Sequence, residues 1–126
     1  MIYFISGHRD LTPSEFELYY IPAINNAIKY DQHARFVLGN FKGCDIMTLE
    51  YLEEIDFDPS RIRIYCVYDI YVSEYVERIR KKTLDTHDLA DSEMTKDSDT
   101  DIAFVRPGKE NSFTAKNILR RYLMKK

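Results

Sequence analysis

The sequence predicts an α/β domain, a three-layer fold around a mainly parallel sheet of about four strands. Three observations lead there. Short apolar runs alternate with helical patterns four times, no internal repeat or low-complexity linker interrupts them, and 126 residues suffice for one core spanning 1–126. Buried parallel strands joined by right-handed helical crossovers satisfy such an alternation. Strand order is not readable from the residues. An order of 3-2-1-4 sets the first and fourth strands side by side, with a ligand crevice at their carboxyl ends.

Residues 2–6 read as a buried strand that stops at Ser6-Gly7 and exposes His8 and Arg9. Thr12 and Glu15 then have capping-box spacing, with Pro13 at the first helical position, where its missing N–H costs nothing. Phe16, Tyr20, Ile24 and Ile28 recur every four residues across 13–30, giving one apolar stripe. Pro22 lies inside it and requires a kink or break near Tyr20 and Ile21. Residues 36–39 read as a second strand, 45–55 as a second helix, 57–60 as a loop and 61–68 as a third strand. Residues 71–82 carry Val72, Tyr75, Val76 and Ile79, a helical stripe ending in a basic patch. The polar, acidic stretch 84–99 reads as a short exposed helix or a flexible flap. A fourth strand at 102–105, a turn-rich loop at 106–111 and a helix at 114–124 close the chain, with Ile118, Leu119, Tyr122 and Leu123 inward.

Composition narrows the function classes. The chain is 44% hydrophobic and 31% charged, a globular balance, and its net charge of −3 argues against general nucleic-acid binding. Lys116, Arg120, Arg121, Lys125 and Lys126 cluster at the end, where a last helix favours cations, and read as a solvated terminus. No stretch approaches the ~18 apolar residues of a membrane span and the start lacks a signal-peptide pattern, so a cytoplasmic location is expected. Cys44 and Cys66 form no CxxC or Cys/His motif, and His8, His33 and His87 lack partners at ligand spacing. Neither a metal nor a cofactor is expected.

The strand–glycine–helix join at Gly7 is a place where backbone N–H groups and a helix dipole can meet an anion, with Arg9 adding a planar, permanent charge. Gly7 alternatively serves only the turn, Arg9 an ion pair with Asp10 or Glu15, and His8 a base-stacking or shielding role. Gly39 and Gly43 bracket a turn where the backbone must come close to something. Asp45 reads either as a helix N-cap or as a carboxylate accepting from ribose hydroxyls or a base. Ser112 and Thr114 precede the last helix, as caps or as phosphate contacts. Asp45, Asp69 and Glu110 are the carboxylates placed to act as nucleophile or acid if the crevice is catalytic.

Three segments, taken together and in order, resemble the SLOG superfamily, Rossmann-like nucleotide-related proteins that include the LONELY GUY phosphoribohydrolases. Ser6-Gly7-His8-Arg9-Asp10 resembles the first-strand turn of its small single-domain members. Gly39-Asn40-Phe41-Lys42-Gly43-Cys44-Asp45 resembles their Gly-x-x-x-Gly-x-Asp turn, and Met94, Asp99, Ile102-Ala103-Phe104 and Ser112-Phe113-Thr114 follow their closing order. The resemblance implies a Rossmann-like domain with Gly7, His8, Arg9, Gly39, Gly43, Asp45, Ser112, Phe113 and Thr114 around a nucleotide. The departures bear on catalysis. Asn117 stands where the family's catalytic Glu is expected, and Asn cannot serve as a carboxylate acid or base. Phe113 replaces the Gly before Thr, and Ala90-Asp91-Ser92-Glu93-Met94 lacks the Arg that usually precedes the Met.

The resulting expectation is a sensor or carrier of a nucleotide or nucleoside derivative, not a phosphoribohydrolase. A nucleoside or mononucleotide derivative suits the acidic surroundings better than a triphosphate. Two alternatives stand beside it: a nucleoside or nucleotide N-glycosidase or deoxyribosyltransferase, and an oligomeric interaction module with a vestigial pocket. For the last, Tyr19, Tyr30, Tyr51, Tyr75 and Tyr122 offer a homodimer surface, because Tyr tolerates both burial and water.

Overall fold

A computed structural model describes residues 1–67 and 73–125. Chain order is β1 (Ile2–Ser6), α1 (Pro13–Tyr19), α2 (Ile21–Tyr30), β2 (Arg35–Leu38), α3 (Cys44–Glu54), a 3-10 turn (Pro59–Arg61) and β3 (Ile62–Cys66). There follow α4 (Glu74–Glu77), β4 (Arg80–Thr83), α5 (His87–Asp97), β5 (Thr100–Ala103) and α6 (Phe113–Met124). All neighbouring strands are parallel, in the order β4-β3-β2-β1-β5. This five-stranded sheet is consistent with Rossmann-like folds. The four expected strands keep the expected order, and β4 is an addition at the far edge.

Alternation along the strands divides the core in two. Ile5, Leu38, Ile64 and their neighbours meet Phe16, Tyr20, Ile24, Leu49 and Leu52 from α1, α2 and α3. Phe4, Val37 and Tyr65 point the other way, onto Ala90 and Met94 of α5. Each fully buried Leu, Ile or Phe contributes roughly 1.5–3 kcal/mol against its exposed state, so these stripes position the helices. The capping box at Thr12 and Glu15 starts α1. The helical run breaks at Tyr20, with Pro22 in the first turn of α2, because proline removes an N–H from the ladder and crowds the preceding turn.

Four expectations change. Residues 73–82 form not one helix but a single turn, α4, followed by edge strand β4. Tyr75, Val76 and Ile79 still enter the core, but the open edge of β3 then captures Arg80–Thr83. Cationic residues suit such an edge because they discourage pairing with further chains. Tyr68, Asp69, Tyr71 and Val72 lie outside the described residues. The 84–99 stretch resolves into α5, and Ala90, Met94 and Thr95 are buried, so it is a packed layer rather than an exposed helix or flap.

The other two changes concern α6, which packs through its polar side. Thr114, Asn117 and Arg121 are buried, while Ile118, Leu119, Tyr122 and Leu123 are exposed. Nor is the basic end simply solvated. Arg121 donates to the carbonyls of Thr95 and Ser98 at 3.1 and 2.7 Å and pairs with Asp101 at 3.0 Å. Arg120 donates to Asn117 Oδ1 at 2.7 Å and to Asp88 at 3.2 Å. The sheet surface under α6 presents Asp101 beside the carbonyl end of α5, a place for a cation and not for leucine. Among the described residues no helix is long and apolar enough to cross a membrane.

Arg121→Ala is expected to destabilise the fold by about 3 kcal/mol, since it strands the half-buried Asp101 carboxylate and two carbonyls. Urea unfolding at neutral pH measures this, and a loss below about 0.5 kcal/mol would return Arg121 to the status of a surface side chain.

Candidate functional site

Three chain turns meet at the carboxyl ends of β1, β2 and β5. The first is held by contact rather than by an unusual backbone angle. A Cβ on Gly7 would lie 2.5 Å from the Tyr20 hydroxyl and 2.6 Å from Cys44, so only glycine lets these side chains close on the strand end. The Tyr20 hydroxyl donates to the Ser6 carbonyl at 2.7 Å and accepts from the Phe104 N–H at 3.0 Å, tying β1 to the chain leaving β5. Burial pushes both the Tyr20 hydroxyl and the Cys44 thiol upward, so both stay protonated at neutral pH.

His8 is a second tie. Its Nε2 accepts from the Arg106 N–H at 2.9 Å, and its carbonyl accepts from Leu11 and Cys44 N–H groups. Accepting at Nε2 requires the neutral ring, and burial, followed by the nearby Arg106 charge, lowers its pKa. Arg106 forks onto Glu15 at 2.8 and 2.9 Å and reaches Asp10 at 3.2 Å, while Glu15 also completes the capping box. Hydrogen bonds from Arg106 hold the Glu15 carboxyl down to about 2. The two carboxylates weighed as partners for Arg9 are therefore taken by Arg106. Arg9 forms no ion pair among the described residues, and its guanidinium sits 5.1 Å from the centroid of the Phe41 ring.

In the second turn, Gly43 has φ +83°, and a Cβ there would overlap the His8 and Arg9 carbonyl oxygens. Gly43 packs against the first turn and does not line the cavity; it is also the N-cap of α3. Asp45, one residue into the helix, is therefore not that cap. Its Oδ2 accepts from the Phe41 N–H at 3.3 Å and occupies the space a Cβ on Gly39 would need, 2.7 Å away. Burial, reinforced by the negative charge of Asp91, pushes the Asp45 carboxyl up to about 7. In the third turn Ser112 caps α6 by accepting from the Ala115 N–H at 3.2 Å, and Thr114 is buried beside it.

Together these turns enclose a cavity of about 260 Å³. Gly7, His8, Arg9, Gly39, Asp45, Ser112, Phe113 and Thr114 all line it. Glu110 does not; it accepts from its own loop's Gly108 N–H. Asp69 falls outside the described residues.

The remaining wall was not anticipated from the sequence. His87 and Asp91 project from successive turns of α5, and Phe41, Lys42, Lys109 and Asn117 are also in the lining. The rings of His87 and Phe41 lie 4.2 Å apart, continuing the contact from Arg9. Burial lowers His87, with the Arg9 charge adding to the effect. Burial raises Asp91 to about 6 despite the Arg120 charge and a hydrogen bond from Asn117. His87 and Asp91 are four residues apart, a signal that appears only once 84–99 is read as a helix facing the crevice.

Electrostatically, Arg9, Lys42 and Lys109 line the cavity with Asp45 and Asp91, whose carboxyls are raised, and with Asp10, whose charge Arg106 already pairs. Among the described residues no group of three or more His, Cys, Asp or Glu side chains is disposed to hold a metal. The chain matches no protein-family model, and no curated protein or solved structure is significantly similar to it.

Two pH dependences follow. Asp45 has a folded pKa of about 7 against an ordinary 3.8, so its charge destabilises the fold fully above pH 7 and not at all below pH 4. Asp45→Asn keeps an acceptor for Phe41 and should raise stability at pH 8 by on the order of 2 kcal/mol, with the gain vanishing towards pH 4. Chemical unfolding at both pH values checks it; a pH-independent difference would show that the carboxylate is solvated.

His8 runs in the opposite sense. Its folded pKa lies below the ordinary 6.5, so its contribution is complete above pH 6.5 and is lost as pH falls through that value towards the folded pKa. His8→Gln, which can still accept from Arg106, should narrow the stability difference between pH 7.5 and pH 5. Parallel pH profiles of the two proteins would contradict the neutral-acceptor role.

Proposed function

We propose that the chain binds a nucleotide or nucleoside derivative in the cavity at the strand carboxyl ends, as a sensor or carrier. One observation carries the reading: the three segments that resemble SLOG proteins, separated by up to a hundred residues in sequence, all contribute to one cavity. That is where parallel α/β sheets place ligands. The chemistry of the lining supports it. Arg9 and the N-terminus of α6 suit a phosphate, Asp45 and Asp91 suit ribose or base donors, and Phe41 and Phe113 offer aromatic faces. Three cations beside the Asp45 and Asp91 carboxylates suit a single phosphate, which favours a nucleoside or mononucleotide derivative over a triphosphate.

A second reading rests on a separate observation. Asp45 and Asp91 line the same cavity with carboxyls raised to about 7 and about 6. Raised carboxyls in a cleft are candidates for acid–base or nucleophilic work on a glycosidic bond. Asn117 serves there as a hydrogen-bonding partner of Asp91, since it has no acid–base capacity of its own.

A thermal-shift screen with nucleosides, mononucleotides and ADP-ribose derivatives tests the first reading, because any ligand of the folded state stabilises it by mass action. A rise in Tm is expected for at least one compound, and Arg9→Ala should weaken its binding by about 1–3 kcal/mol. No stabilisation at millimolar ligand would overturn binding. Chromatography of the incubated hits separates carrier from enzyme: free base lost in both Asp45→Asn and Asp91→Asn would establish the second reading.

A further inference from the structure

A second concavity, of about 280 Å³, shares no lining residue with the first. It lies towards the amino ends of β2, β3 and β4, on the sheet face that α5 covers further along. Five arginines line it, Arg35, Arg61, Arg63, Arg78 and Arg80, against one carboxylate, Asp97. In a chain of net charge −3 this is a concentrated positive field.

Among the described residues most of these cations have no ion-pair partner. Arg61 is engaged in the fold, donating to the carbonyls of Ala34 and Gln32 at 2.9 and 3.0 Å. Arg35, Arg63, Arg78 and Arg80 make no ion pair among the described residues. Asp97, in the lining, accepts from the Tyr65 hydroxyl at 2.6 Å and lies 3.8 Å from Lys82, and forms no ion pair with an arginine of the cavity. Asp58, the acid that feels Arg35 and Arg61, is held down chiefly by hydrogen bonds from Ser60.

The strand register sharpens the point. Arg63 of β3 is the lateral partner of Arg80 of β4, so two guanidinium side chains leave neighbouring strands at one level and on one face. Like charges opposite one another destabilise a sheet; Arg63 shares a hydrogen bond with Tyr65, but among the described residues neither guanidinium forms an ion pair. Planar guanidinium forks arranged around a hollow are the chemistry that recognises phosphate groups.

We infer that this cavity is a second binding site, for a small anion carrying two or more adjacent phosphate groups. A long polyanion is disfavoured, because Asp58, which feels Arg35 and Arg61, and Asp97 border the arginine field. The site does not depend on the proposed nucleotide crevice and is tested separately from it.

Calorimetric titration of the full chain with inorganic pyrophosphate and tripolyphosphate is expected to show saturable, salt-sensitive binding. The double variant Arg63→Gln/Arg80→Gln should bind at least about tenfold more weakly. Its unliganded Tm should not fall, because repulsion is removed, and Arg9→Ala should leave pyrophosphate affinity unchanged. Arg63→Lys/Arg80→Lys, which keeps the charges but not the forks, should fall between wild type and the glutamine variant. Absence of saturable binding at millimolar pyrophosphate, or equal affinity in the glutamine variant, would overturn the site. Loss of binding in Arg9→Ala would move the anion to the first cavity. A single-stranded oligonucleotide that excess pyrophosphate fails to displace would overturn the small-anion assignment.

Discussion

The carboxyl end of β1 is the point on which the rest of the molecule is assembled. Gly7 leaves no Cβ there, so the Tyr20 hydroxyl and Cys44 close directly on the strand end. Tyr20 can reach it only because the helical run breaks at that residue, and its hydroxyl then links the Ser6 carbonyl to the Phe104 N–H. One buried phenol thus satisfies backbone groups on two adjacent strand ends. Left unpaired in the interior, each would cost about 1–3 kcal/mol. His8 extends the tie to Arg106, and Gly43 lets the β2–α3 turn press against the same backbone. The cavity is what remains between three turns held to a common post.

That arrangement separates two kinds of charge. Arg106 gathers Glu15 and Asp10 into a paired network that holds the loop at the cavity's edge. Arg9, one residue from Asp10, is left facing Phe41 and the opening. Within the cavity, burial raises both Asp45 and Asp91, and the negative charge of Asp91 adds to the rise of Asp45. A fold selected for stability alone would pair or replace such groups, because a carboxylate held near its own pKa is a standing cost. Their placement opposite the only unpaired cation of the first turn concentrates the chemistry in one small volume.

The legible parts of the chain were those governed by local rules. The capping box, the break before Pro22, the strand β1 and the turn glycines follow from backbone geometry and helix periodicity, which act over a few residues. The closeness of the Gly7 turn to Ser112 and Thr114 followed from strand order alone, once the first and last strands were set side by side. What escaped was of another kind. Arg80–Thr83 became an edge strand because β3 offered unpaired backbone, a partner about twenty residues away. The residues of α5 gained a core face because the sheet presented Phe4, Val37 and Tyr65 to them. His87 and Asp91 entered the site by the same route.

The amino-acid sequence by itself determined the α/β class and the glycine-dependent turns, since each is encoded by neighbours along the chain. Tertiary structure decided which side of an element faces inward. Helix α6 carries both an apolar and a polar stripe, and its polar stripe is buried because Asp101 and the carbonyl end of α5 wait beneath it. The arginines of β2, β3 and β4 are scattered in sequence and become one field only when parallel register aligns them. Burial preference is a property of a residue, but the charge and shape it must meet belong to the surface it packs against.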